Sequence, residues 1–167
     1  TGELDDIRIY NRALTLAEIQ ALAGYIPPIC YALTLNHTGQ GSNPVANPTN
    51  SDGCSTGQYI EGASIALSGA VPTAGWHISS WTGTMNNTST DSTNTISMPA
   101  GIHTAGVNYS QNQYTISGNA GVSGAIISYT GGSTVANASG DYSFLVLSGW
   151  SGTVTPSLTG YTFTPPN

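Results

Sequence analysis

Apolar side chains recur along this chain at two periods. In "LDDIRIY" at residues 4–10 they alternate, with Ile7 and Ile9 on one face and Arg8 and Tyr10 on the other, as in a half-buried strand. In "LTLAEIQALAG" at 14–24 the spacing becomes helical, and Leu16, Ile19, Leu22 and Ala23 share a face. Thr15 is the expected N-cap, Glu18 completes a capping box, and Leu14 and Ile19 can form a hydrophobic staple. Gly24 stops the helix, and "IPP" at 26–28 prevents its continuation. One strand and one short helix cannot bury both faces on each other, so this segment needs a partner sheet.

From Ile29 onward, period two returns. "CYALTLNHTG" predicts a strand with Tyr31, Leu33 and Leu35 alternating, and "GQGSNPVANPTNSDG" reads as a turn-rich excursion ending at Cys54. "QYIEGASIALSGAVP" reads as strand, Gly turn and strand, with Ile65 and Leu67 inward. "GWHISSWTGT" is a further strand, "MNNTSTDSTN" a polar loop, and "TISMPAG" with "HTAGVNYS" a strand pair. In "YTISGNAGVSGAIISYTGG" two strands flank a Gly turn, and "GDYSFLVLSGWSGTVTPSLTGYTFTPPN" predicts three more. The fold class is therefore all-β: two small antiparallel β-domains preceded by a strand and a short helix. The segments are residues 1–28, 29–111 and 112–167. The pattern leaves open whether the second is a sandwich or a grasp-like sheet.

Charge narrows the function. The chain has no Lys, and Arg8 and Arg12 are its only cationic residues besides His, against eight acids, for a net charge of −6. Nothing basic follows residue 12, so neither nucleic acid nor an anionic membrane surface is an expected partner. Beyond Ile29 the acids are only Asp52, Glu61, Asp91 and Asp141. A surface of hydroxyls and amides suits an extracellular β-protein with almost no sites for trypsin-like proteases. No apolar run approaches the ~18 residues of a membrane span. No signal peptide is visible; a secreted protein would have lost it, or the chain comes from a longer precursor. Cys30 and Cys54 can be two thiols or one disulfide, and no His at ligand spacing points to zinc. The disulfide is the expected state, which implies an oxidising compartment.

Candidate chemistry is sparse. His37, His77 and His103 fall in three separate strands or turns, each acid from Asp52 onward is isolated, and neither G-x-S-x-G nor H-E-x-x-H occurs. No enzymatic activity and no cofactor or metal is expected. Asp5 and Asp6 alternate across a strand, so both cannot approach one substrate atom; pairing with Arg8 or Arg12 is the expected role. Trp76 and Trp81, five apart, would face opposite sides of a regular strand, one of them in the core. Trp150, in the turn "SGWSG", is the candidate for stacking on a glycan, with packing or turn anchoring as the preferred reading. N-x-[ST] triplets begin at Asn36, Asn86, Asn87, Asn108 and Asn137, as expected by chance in such a composition. Thr88, Ser89 and Thr90 are the better candidates for O-linked sugars.

Three resemblances add to this reading. "GELDDIRIYNRAL" resembles the closing strand of laminin-G-like, concanavalin-like jelly rolls, whose calcium or sugar sites use loops not present here. "CYALTLNHTGQG", "CSTGQYIEGASIALSGAVPTAGWHISSWTGT" and "TISMPAGIHTAGVNYS" resemble the bacterial extracellular repeats related to the divergent InlB B-repeats. The carrying residues are Tyr59, Gly62, Ile65, Leu67, Pro72, Gly75, Trp76, Ile78, Trp81 and Gly83. That likeness implies a surface or spacer module. "ISGNAGVSGAIIS", "ASGDYSFLV" and "GYTFTPPN" resemble the carboxypeptidase-regulatory-like, prealbumin-like β-sandwich, in which one more strand normally follows. These resemblances imply an extracellular or cell-surface bacterial structural module, and a strand without a sheet at one end with a sandwich one strand short at the other makes polymerisation with itself the expectation. Leu4, Ile7 and Ile9 would form a donor strand completing the C-terminal sandwich of the next subunit. The alternatives are accessory modules of a large surface adhesin, or a carbohydrate-binding module.

Overall fold

A computed structural model describes residues 8–24 and 26–164. One helix, α1 (Leu16–Leu22), is followed by twelve strands among the described residues. The helix begins as its sequence predicts. Thr15 accepts from the Glu18 amide at 3.4 Å, and the Glu18 carboxylate accepts from the Thr15 amide at 2.9 Å. Gly24 follows the C-cap at φ +67°, a left-handed conformation that favours glycine. The apolar stripe Leu16, Ile19 and Leu22 is exposed. Of the strand expected over 4–10, Leu4, Asp5, Asp6 and Ile7 lie outside the described residues, and Arg8, Ile9 and Tyr10 are not in a strand.

The second segment holds β1 (Tyr31–Thr38), β2 (Val45–Asn47), β3 (Gln58–Tyr59), β4 (Ser64–Ser68), β5 (Trp76–Thr82), β6 (Asn94–Ser97) and β7 (His103–Gln111). They form a four-stranded sheet in the order β3-β1-β7-β5 and a three-stranded sheet β2-β4-β6. In the larger sheet β1 and β7 run parallel at the centre, each flanked by an antiparallel neighbour. The domain therefore combines a grasp-like sheet order with a second sheet as its cover. Ile65, Leu67 and Ile96 from the smaller sheet meet Tyr59, Ile78, Trp81, Ala105, Val107 and Tyr109 from the larger in one buried core. The expected pairing of β6 with β7 does not occur: β6 joins β4 and β7 joins β1 and β5, so the two strands contribute to different layers.

A bulge corrects the expectation for the tryptophans. The register of β5 on β7 shifts between Ile78 and Ser80. That extra residue inverts the alternation beyond it. Trp76, Ile78 and Trp81 then fall opposite Gln111, Tyr109 and Val107, which are spaced two apart and share a face. Trp81 is 1% exposed, and Trp76 packs against the same core.

The third segment contains β8 (Gln113–Asn119), β9 (Ile126–Tyr129), β10 (Gly132–Val135), β11 (Asp141–Leu147) and β12 (Val154–Ser157). Sheet β11-β8 and sheet β10-β9-β12 share a small core of Ala125, Ile127, Ala136, Phe144 and Val146. Tyr129 stacks on Phe144 at 3.7 Å between ring centroids. Strand β10 was not expected, and Tyr161–Thr164, expected as a strand, forms none.

Candidate functional site

The three histidines each have a partner of their own. His37 Nδ1 lies 2.6 Å from Asn43 Oδ1, His77 Nδ1 lies 2.8 Å from Asn112 Oδ1, and His103 Nε2 donates to the Gly83 carbonyl at 2.7 Å. Among the described residues no group of three His, Cys, Asp or Glu could hold a metal ion. Burial pushes the Tyr59 and Tyr109 phenols above their ordinary pKa, and each hydroxyl donates to a backbone carbonyl, of Pro48 at 2.8 Å and Ser42 at 2.7 Å.

Trp150 is half-buried against the C-terminal core. Its indole N–H donates to the Thr130 carbonyl at 2.9 Å, and its ring meets Phe144 edge-on at 6.1 Å. Thr88, Ser89 and Thr90 lie in the loop between β5 and β6. There Thr88 Oγ1 donates to Asn86 Oδ1 at 2.9 Å and Ser89 Oγ donates to Asp91 Oδ2 at 3.2 Å. Trp81 anchors that loop through its indole N–H on the Asp91 carbonyl at 3.1 Å. The carboxylate of Glu18 pairs with Arg12 as well as capping α1. These contacts hold Glu18 well below the ordinary carboxylate range, at about 2, the Arg12 guanidinium contributing most.

Cys30 and Cys54 form a disulfide. It ties the residue before β1 to the loop that leads into β3, on the edge where β3 covers the start of β1.

The joint between the two β-domains was not visible as a pattern. Strand β7 ends at Gln111 and β8 begins at Gln113, with only Asn112 between. The Asn112 N–H donates to the Gly75 carbonyl at 2.8 Å, and the Asn112 carbonyl accepts from the Ser148 N–H at 2.7 Å. Gln111 Nε2 donates to the Ser148 carbonyl at 2.7 Å. The start of β5 and the end of β11 therefore meet end to end, on the same side of one run of extended chain from His103 to Asn119. Gly75 sits there at φ +83°, which favours glycine, and close to the Ser148 side chain, the one signal the sequence carried there.

Three sheet edges carry a local guard. The Trp81 N–H of β5 donates to the Asn87 carbonyl at 2.9 Å, and the Asp141 carbonyl at the start of β11 accepts from Asn137 at 2.8 Å. Strand β12 contains Pro156, which lacks an N–H. Such devices discourage strand addition.

Comparison with known families bears on the middle of the chain. Residues 31–113 match the family model of the divergent InlB B-repeat domain. The matched stretch runs from the first residue of β1 to the first residue of β8, so it contains the whole of the two-sheet domain. No curated protein and no solved structure matches the chain. The bacterial B-repeat match and the disulfide point to an extracellular or cell-surface structural module. Among the described residues no helix is long and apolar enough to cross a membrane.

Proposed function

We propose that this chain is a non-enzymatic structural subunit of an extracellular assembly, linked to its neighbours by β-strand donation. The observation that carries this reading is a mismatch within one molecule. Ile9 stands 93% exposed, and the apolar stripe of α1 is uncovered, while the C-terminal domain has a small core and strand edges without partners among the described residues. Burying the first two against the last, between subunits, removes all three exposures. Ile7 and Ile9 supply the donor's buried side chains, Leu4 lies on the alternate face of the same strand, and α1 covers the seam. The contact joins different surfaces of two copies, so it propagates into an open filament unless a ring closes.

The accessory-module reading also has an observation in its favour. The extended chain across the domain joint suits a stiff spacer in a larger surface protein. Glycan binding through Trp150 would require the ring to leave its contacts with Phe144 and Thr130. Negative-stain electron microscopy and light scattering of the purified chain separate the first two readings. Filaments that disappear in the I7D/I9D double variant support strand donation; a concentration-independent monomer with unpaired ends supports the spacer.

A further inference from the structure

Strand donation requires an acceptor, and the sheet edges of this molecule are not equivalent. We infer that the acceptor is the free edge of β8, and that its occupant is the strand segment around Ile7 and Ile9 of a second copy. This rests on the strand-donation reading above and adds the place of docking.

Along the extended run from His103 to Asn119, one side is occupied throughout, by β5 and then β11. The other side is occupied by β1 only beside β7, as far as Thr38 opposite Asn108. Beside β8 the position in line with β1 holds no strand among the described residues. The added strand would continue in the C-terminal domain the column that β1 forms in its neighbour.

The backbone of β8 is set for this addition. Asn112 and Ala120 both direct hydrogen bonds toward the β5–β11 side, to Gly75 and to Gly140. Groups alternate along a strand, so the N–H and C=O of Tyr114, Ile116 and Gly118 face β11. Those of Gln113, Thr115, Ser117 and Asn119 face the open edge. No proline, charged residue or bulge guards that edge, in contrast to Pro156 on β12 and the loop over β5.

The inner face beside the same edge is also incomplete. Tyr114 and Ile116 lie directly opposite Val146 and Phe144, and so share their face of the sheet. Val146 and Phe144 are 8% and 6% exposed, yet Tyr114 is 53% exposed and Ile116 only half-buried. An incoming strand with apolar residues on alternate positions would cover this strip. Ile7 and Ile9 have that spacing, and Asp6 and Arg8 would then face water, as an uncharged slot requires. Among the described residues Ile9 and the strip at Tyr114 are both exposed, and the inference commits to a second copy as the occupant that covers them.

The test uses the full chain. Thr115→Pro and Ser117→Pro each remove one N–H from the open edge and none from the ladder to β11, so they should keep the fold and lose assembly. Amide hydrogen exchange on wild-type material gives a reading without substitution: the Thr115 and Ser117 amides should become protected on assembly. If assembly persists in both proline variants, or those amides exchange as freely in the polymer as in the monomer, the β8 slot is wrong. Should I9D still abolish assembly in that case, strand donation itself survives at another edge. A wild-type chain that stays monomeric at all concentrations overturns both. Protection of the same amides in a monomer would show the chain's own segment in the slot, and would also overturn the inference.

Discussion

Gly75 and Ser148 come from different domains, and they touch. A Cβ placed on Gly75 would lie 2.5 Å from the Ser148 hydroxyl oxygen, and the residue sits at φ +83°. Gly75→Val should therefore loosen the joint, through the unfavourable φ and the displaced Ser148 side chain, while leaving both cores in place. The backbone conformation alone costs about 1–2 kcal/mol for a residue with a side chain. Relaxation-based NMR should report one tumbling body in the wild type and two loosely coupled bodies in the variant.

Trp81 both fills the first core and holds the loop over β5. Trp81→Ala should cost about 3–5 kcal/mol, read as a lower midpoint in urea. Trp81→Phe keeps most of the volume but leaves the Asp91 carbonyl without its donor. It should cost less in stability while loosening the 83–93 loop, seen as faster amide exchange there.

Reduction of the disulfide should destabilise the first of the two β-domains in particular. Cys30 and Cys54 are 24 residues apart. Closing a loop of that size is worth about 3–4 kcal/mol if the effect is mainly on the unfolded chain. Paired Cys30→Ser and Cys54→Ser substitutions should shift the denaturation midpoint by the same amount as a reductant does.

The helix start should respond to acid. Glu18 is held at about 2, below its ordinary value near 4.5, by Arg12 first and by Thr15 second. A depressed carboxylate supports the folded form fully above its unfolded pKa, and the support is lost as pH falls toward the folded value. Backbone chemical shifts of residues 15–23 should thus hold from neutral pH to about 4.5 and move toward coil by pH 2. Arg12 is exposed and Glu18 partly so, and added salt should therefore weaken the Arg12 part. Thr15→Ala should reduce helicity at every pH.

Where a single strong signal governed a residue, its place was legible. Ile65 and Leu67 alternate between Gly turns and sit in the core; Thr15 and Glu18 carry a motif with one geometry; two cysteines had one possible bridge. Features set by more than one strand were not. The inward turn of both Trp76 and Trp81 depends on a bulge against β7 that no local pattern marks. Strand β10, "GSTV", carries one apolar residue and so no period. The separation of β6 from β7 follows from a parallel pairing of β1 with β7 across the whole domain. The candidate site was legible as a question about Ile7 and Ile9. That β8 has β11 as its one strand neighbour among the described residues depends on pairing across the domain, which sequence periodicity does not encode.

The unbroken run from His103 to Asn119 also decides how the molecule would bear tension. A pull along that strand loads the bonds to β5 and β11 crosswise, since antiparallel bonds stand perpendicular to the chain. They must then slide in shear together, rather than peel apart one at a time. The short link at Asn112 leaves no slack to stretch first, so extension under load would be small until whole strands give way.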